Sequence, residues 1–309
     1  MLNKKRILIV HYSQSGQLTE VVHGFSQPLV DHPDFEVTFE AIKPIQEFPF
    51  PWPFLRFFDT FPECVYLDPP AIQESKLTGD ENFDLIIVAY QVWFLSPSLP
   101  ITAFLQSAVA SQLLKGKPVI TLIACRNMWL MAQEEMKIML LNLDAKLIGN
   151  VALVDAAGNA GSFLATPLWV LSGNKGPRLG GIIPKAGVAP EVIAASSRFG
   201  ERIIDRMSSD KCLDSSVLIN LGAVDVNEKL ISSEKAAKRS FRIWGMLLRS
   251  LGPRGSLLRK PVLFLYILFL VSFIVIVIPL SMLFKLLISP LTRNKIAKQK
   301  EYYGGPSGP

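Results

Sequence analysis

Arg6 to Glu20 restricts what this chain can fold into more than any other stretch. Ile7 to Tyr12 is a short, unbroken apolar run, the pattern of a parallel strand covered on both faces. A turn with hydroxyls and a glycine follows, Ser13-Gln14-Ser15-Gly16, and a helix is predicted from about Gln17. Backbone N–H groups at such a turn have no intrahelical partner, and the helix dipole adds positive potential there. With hydroxyls from Ser13, Ser15 and Thr19, the turn is either a phosphate site or an ordinary Ser-capped helix start.

A second continuous strand, Phe83 to Tyr90, ends in Gln91-Val92-Trp93-Phe94, and a helix is predicted from the Ser96–Pro100 stretch to about Gln112. In the doubly wound order 2-1-3-4-5, strands 1 and 3 are neighbours, and the crevice above their carboxyl ends is the topological switch point. Both loops then face one crevice, which can hold a phosphate at one end and a flat ring at the other. Flavin mononucleotide (FMN) joins those two chemistries. In the plainer alternative, Trp93 and Phe94 pack under the following helix.

Ser13 to Thr19 and Ala89 to Ile101 resemble the phosphate and isoalloxazine loops of the flavodoxin-like family, within a likeness over about residues 4–155 and again 188–208. The resemblance implies FMN held by Ser13, Ser15, Gly16, Gln17, Leu18 and Thr19 at the phosphate. It further implies contacts from Gln91, Val92, Trp93, Phe94 and, in a third loop, Asn127. Leu18 departs from the pattern: it stands where the family has Thr, with Thr19 one place later.

The remaining elements complete an α/β, doubly wound, five-stranded parallel sheet of flavodoxin-like order. Strand 2 is the alternating run Phe35 to Ile42, strand 4 is Lys117 to Ala124, and strand 5 is Leu147 to Val154. Behind strand 4, Cys125 to Trp129 opens a helix to about Asn142. Arg126 is the cation of the three loops: it steadies negative charge in the crevice, caps a helix or pairs with an acid. Two apolar insertions interrupt the domain, taken as residues 1–210. That at 43–82 alternates prolines and aromatics from Phe48 to Phe58, so it is either a rigid cover or packing on the sheet edge. That at 156–187 is Gly-rich and reads as a long loop serving as a lid. Pro190 to Met207 restores a helix.

Composition changes after a linker at 211–234. Residues 1–234 carry 19 Lys/Arg against 25 Asp/Glu, whereas residues 235–309 carry 13 against the single acid Glu301. A basic balance confined to a tail beside an apolar segment points to anionic membrane lipid and away from nucleic acid. Residues 235–260 read as a basic amphipathic segment, suited to a bilayer interface. Val262 to Phe284 is 23 residues without a charge, about 34 Å as a helix and long enough to span a bilayer. Pro279 leaves a re-entrant hairpin open, and 285–309 is a basic, then Gly/Pro-rich tail. Three scattered cysteines and three scattered histidines give no disulfide framework and no metal site; His11 reads as a satisfied structural residue. The expected location is the cytoplasmic membrane, with the globular domain on the cytoplasmic side.

These readings point to a membrane-anchored FMN oxidoreductase acting on a lipophilic molecule. The whole chain also resembles bacterial dialkylresorcinol condensing enzymes. That resemblance implies a ketosynthase or acyl-carrier partner and oxidation of a dialkyl-cyclohexanedione to the aromatic resorcinol. The alternatives are a tethered electron carrier or quinone reductase, and a degenerate scaffold without cofactor.

Overall fold

The computed structural model describes residues 4–155, 158–209, 213–273 and 294–306. Its strands are β1 (Lys5–His11), β2 (Phe35–Ala41), β3 (Leu85–Trp93), β4 (Ser96–Pro97), β5 (Pro118–Cys125) and β6 (Lys146–Val154). Its helices are α1 (Gln17–Asp31), α2 (Phe54–Asp59), α3 (Phe61–Val65), α4 (Leu99–Leu105), α5 (Ala108–Leu114), α6 (Leu130–Asn142), α7 (Gly158–Ser172), α8 (Pro190–Ala195), α9 (Ser197–Ser208), α10 (Glu228–Ser250) and α11 (Arg259–Ser272). Five strands run parallel in the order β2-β1-β3-β5-β6.

The sheet has six strands, not the five expected. The extra one is β4, which folds back antiparallel on the end of β3, pairing Val92 with Pro97 and Trp93 with Ser96. β3 therefore continues through the residues read as a loop, and Phe94-Leu95 become the turn of a hairpin.

Alternation along β1 divides the core. Ile7 and Ile9 pack with Val21, Val22 and Phe25 of α1 and with Phe199 and Ile203 of α9. Leu8, Val10 and Tyr12 face the other way, in one cluster with Leu99, Phe104, Leu113 and Met136. Side chains buried on both faces are what an unbroken apolar strand requires. The helix expected up to Gln112 is broken at Gln106-Ser107, where the Ser107 hydroxyl accepts the Ala110 N–H and starts α5. The predicted lid at 156–187 contains a helix, α7. Buried His11 is not satisfied as expected: its Nδ1 has no partner among the described residues, and burial, aided by His23, lowers its pKa.

The C-terminal third departs furthest from the sequence expectation. Among the described residues no helix is long and apolar enough to cross a membrane. Of the expected span Val262 to Phe284, residues 274–284 lie outside the described residues. Its described residues up to Ser272 belong to α11. One side of α11 is already committed to protein: the Tyr266 ring stacks on Phe61 at 4.2 Å, and Arg259 and Leu263 are buried. The spanning anchor, and the membrane location that rested on it, are overturned. α10 begins inside the stretch read as linker. It buries Ile231, Glu234, Lys238, Gly245 and Leu248 against the globular part.

Candidate functional site

The carboxyl ends of β1, β3 and β5 open into a cavity of about 260 Å³, at the switch point of the sheet. Its first wall is the turn after β1. Gly16 sits at φ +85°, a left-handed conformation that strains any residue with a Cβ, and from there the chain enters α1. Among the described residues the N–H groups of Ser15, Gly16, Gln17 and Leu18 have no hydrogen-bond partner, so four donors gather at one helix start.

The side chains of this turn are used differently from the sequence reading. Ser13 Oγ accepts the Thr19 N–H at 3.2 Å, so this hydroxyl caps the helix. Leu18 is fully buried in the core with α1 and α9, which explains an apolar residue in place of a hydroxyl. Gln17 reaches the Val188 carbonyl at 3.4 Å, and a Cβ on Gly187 would stand 2.4 Å from its amide nitrogen. What the turn offers an anion is chiefly backbone N–H, together with the Ser15 side chain at the cavity wall.

The second wall is aromatic. Trp93 lies edge-on to Tyr12 at 5.9 Å, to Phe48 at 5.0 Å and to Trp52 at 5.7 Å. Phe94 faces Phe57 at 4.9 Å and Phe61 at 5.8 Å. The 43–82 insertion thus covers the crevice. Gln14 fastens it there, donating to the Pro49 carbonyl at 2.8 Å and accepting the Trp52 indole N–H at 3.0 Å. The second insertion joins the same roof. The Val170 carbonyl accepts the Trp52 N–H at 2.9 Å, and Trp169 meets Phe50 at 5.9 Å. Gln91 and Val92 line the cavity below.

The third wall carries the charge. Arg126 and Cys125 line the cavity beside Asp155, the residue after β6. Burial lowers the Arg126 pKa to about 10, opposed by Asp155. The group still carries its proton at neutral pH. Its Nε lies 3.4 Å from the Asn127 side-chain oxygen, and Asn127 is itself buried. Burial, and then Glu234, push the Cys125 thiol upward. Asp155 was not anticipated. Its Oδ2 accepts Thr166 Oγ1 and the Gly187 N–H, both at 2.9 Å, tying α7 and the 187 loop to the crevice. An acid directly after an apolar strand, at the carboxyl edge of the sheet, was the available signal.

The cavity lining therefore brings together Ser15, Gln17, Leu18, Gln91, Val92, Trp93, Phe94 and Arg126. Ser13, Gly16, Thr19 and Asn127 flank it in their loops. No group of His, Cys, Asp and Glu among the described residues could hold a metal ion.

No family model matches the chain, and no curated protein matches it. Among solved structures it is similar to a flavoprotein from Lactobacillus acidophilus NCFM, determined in complex with FMN. The identity is 18%, over 48% of this chain and 93% of that one, with a TM-score of 0.38. It is also similar to the Trp repressor binding protein from Bacillus subtilis, at 15% identity over 63% of this chain and 98% of that one, with a TM-score of 0.32. At such scores it is the strand order of this chain, not the likenesses, that defines its architecture.

Proposed function

We propose that the crevice binds FMN and that the chain is a flavin-dependent oxidoreductase for an apolar substrate. One observation carries this reading: four unpartnered N–H groups gather at the start of α1, where Ser15, Gln17 and Leu18 line the same cavity as the aromatic β3–β4 hairpin. The donor set suits a phosphate, and the ring-lined wall suits a flat heterocycle. FMN, when bound, supplies the redox chemistry. The protein's own part is electrostatic and steric. Arg126, fixed in a partly dry crevice, holds negative charge more strongly than a cation in water, and Asp155 beside it limits the excess positive charge.

The roof of Phe48, Trp52 and Trp169 favours an apolar substrate over a second protein, since an electron carrier needs an open edge for its partner. A dialkyl-cyclohexanedione substrate and a ketosynthase partner rest on the sequence resemblance alone and refine the same reading.

Titration with FMN and with riboflavin tests it. Gly16→Val forces a Cβ onto the left-handed turn, at a cost of about 1–2 kcal/mol if the turn stays and with the loss of its N–H geometry if it does not. FMN affinity is expected to fall about tenfold or more, while riboflavin, which lacks the phosphate, changes little. Equal losses for both ligands would remove the phosphate from this turn.

A further inference from the structure

The β3–β4 hairpin holds an unusual backbone. Phe94 and Leu95, neither of them glycine or asparagine, both occupy the left-handed region at φ 49° and 59°. Two-residue hairpin turns of this hand normally place Asn or Gly there, because side chains with a Cβ are strained. The ladder behind the turn has two residue pairs, too short to impose such a conformation alone. Rings of Phe57, Phe61 and Phe241 pack on the Phe94 side chain, and the polar group that meets the turn's backbone is Lys238, more than 140 residues later on α10. Its ammonium donates to the Leu95 carbonyl at 2.9 Å and to Ser96 Oγ at 2.7 Å, and it faces Glu135 of α6 at 3.4 Å. An ammonium has three protons, and these three acceptors use them all. Lys238 is buried, and burial lowers its pKa, opposed chiefly by Glu135, so these hydrogen bonds offset much of its desolvation.

We propose that Lys238 is a positioning residue of the crevice. It locks the Phe94–Leu95 turn in its left-handed form and thereby aims Trp93 and Phe94 at the bound ring. The C-terminal helix is then part of the site, and any displacement of α10 loosens the ring wall. The ligand readouts below rest on the FMN reading, whereas the backbone readout does not.

Lys238→Met keeps the length of the side chain and removes its charge, while Arg242 stays 2.8 Å from Glu135, so that carboxylate retains a partner. In the free protein, amide exchange across residues 93–98 is expected to quicken about tenfold, the loss of hydrogen bonds from a charged donor. FMN affinity is expected to fall by a similar factor. Arg242→Gln, which removes the other partner of Glu135 but touches no hairpin atom, is expected to change neither. Leu95→Gly added to Lys238→Met relieves the left-handed strain and is expected to restore FMN affinity to that of Leu95→Gly alone; loosened packing of α10 would not be rescued in this way. Unchanged exchange in Lys238→Met, an equal effect of Arg242→Gln, or no rescue by Leu95→Gly would each overturn the proposal. If the parent protein binds no FMN, the flavin reading falls, and the exchange experiment still decides the role of Lys238.

Discussion

Replacing Arg259 by methionine is expected to lower the free energy of unfolding by about 3–5 kcal/mol, the usual cost of breaking a buried ion pair from one side. The Arg259 side chain is 2% exposed. It meets Asp59 Oδ1 at 3.4 Å and Glu63 Oε1 at 2.8 Å, and its Nε donates to the Gly252 carbonyl at 2.8 Å. Methionine fills much of the volume but leaves two carboxylates in a largely dry site. Asp59 retains the Gly255 N–H at 2.6 Å, which softens the loss on one side only. The pair fastens α11 to α2 and α3, hence to the insertion that roofs the crevice. Urea unfolding followed by circular dichroism measures the effect. A loss under about 1 kcal/mol, the range of exposed pairs, would show that this site is open to water.

The second large effect is a pH dependence set by Glu234. This residue has no exposed surface, and its Oε1 accepts the Met131 N–H at 2.7 Å where α6 begins. Burial raises its pKa from 4.5 to about 8, against the opposing pull of the Met131 and Leu130 N–H groups and of Lys238. Below pH 4.5 the group is protonated folded and unfolded, and its stabilising contribution is fully present. Between 4.5 and about 8 the unfolded chain gives up the proton while the folded chain keeps it, so that contribution is lost as pH rises. At about 1.4 kcal/mol per pH unit the total reaches a few kcal/mol. Glu234→Gln, which keeps the acceptor and cannot ionise, is expected to flatten the decline in unfolding free energy between pH 5 and pH 8. A decline of the same slope in parent and variant would mean that Glu234 does not hold its proton in the folded state.

Most of the parallel strands were legible because they are nearly unbroken apolar runs, and a strand buried on both faces leaves little alternative; β2 was legible from its alternation instead. The hairpin was not, since Trp93-Phe94-Leu95-Ser96 carries no Gly or Asn to announce its turn, and the force that holds it comes from a distant lysine. α10 misled for a related reason. A helix that docks an apolar face on protein has the same periodicity as one that lies on lipid, and composition does not say what covers the face. The distinguishing signal was present: Ile231, Glu234, Lys238, Gly245 and Leu248 fall on one helical face, and an acid and a lysine inside an apolar stripe call for polar partners of a kind that lipid tails lack. At the turn after β1 the strand–turn–helix pattern announces N–H groups without intrahelical partners, but the roles of its side chains were not readable. Only the fold shows that Ser13 caps α1, that Leu18 belongs to the core and that Gln14 holds down the roof. α7 forms in a Gly-rich stretch because Ala165 and Trp169 pack against Ala186 and Phe50, so tertiary contact outweighs weak local propensity.

That one crevice holds both ends of FMN is tested most directly by a crystal structure of the protein grown with FMN. The phosphate is expected within hydrogen-bonding distance of the N–H groups of Ser15, Gly16, Gln17 and Leu18, with the ring system against Trp93 and near Arg126. A phosphate bound elsewhere, such as among Arg249 and Arg254 on the far side of the insertion, or a cavity that stays empty at saturating FMN, would contradict it.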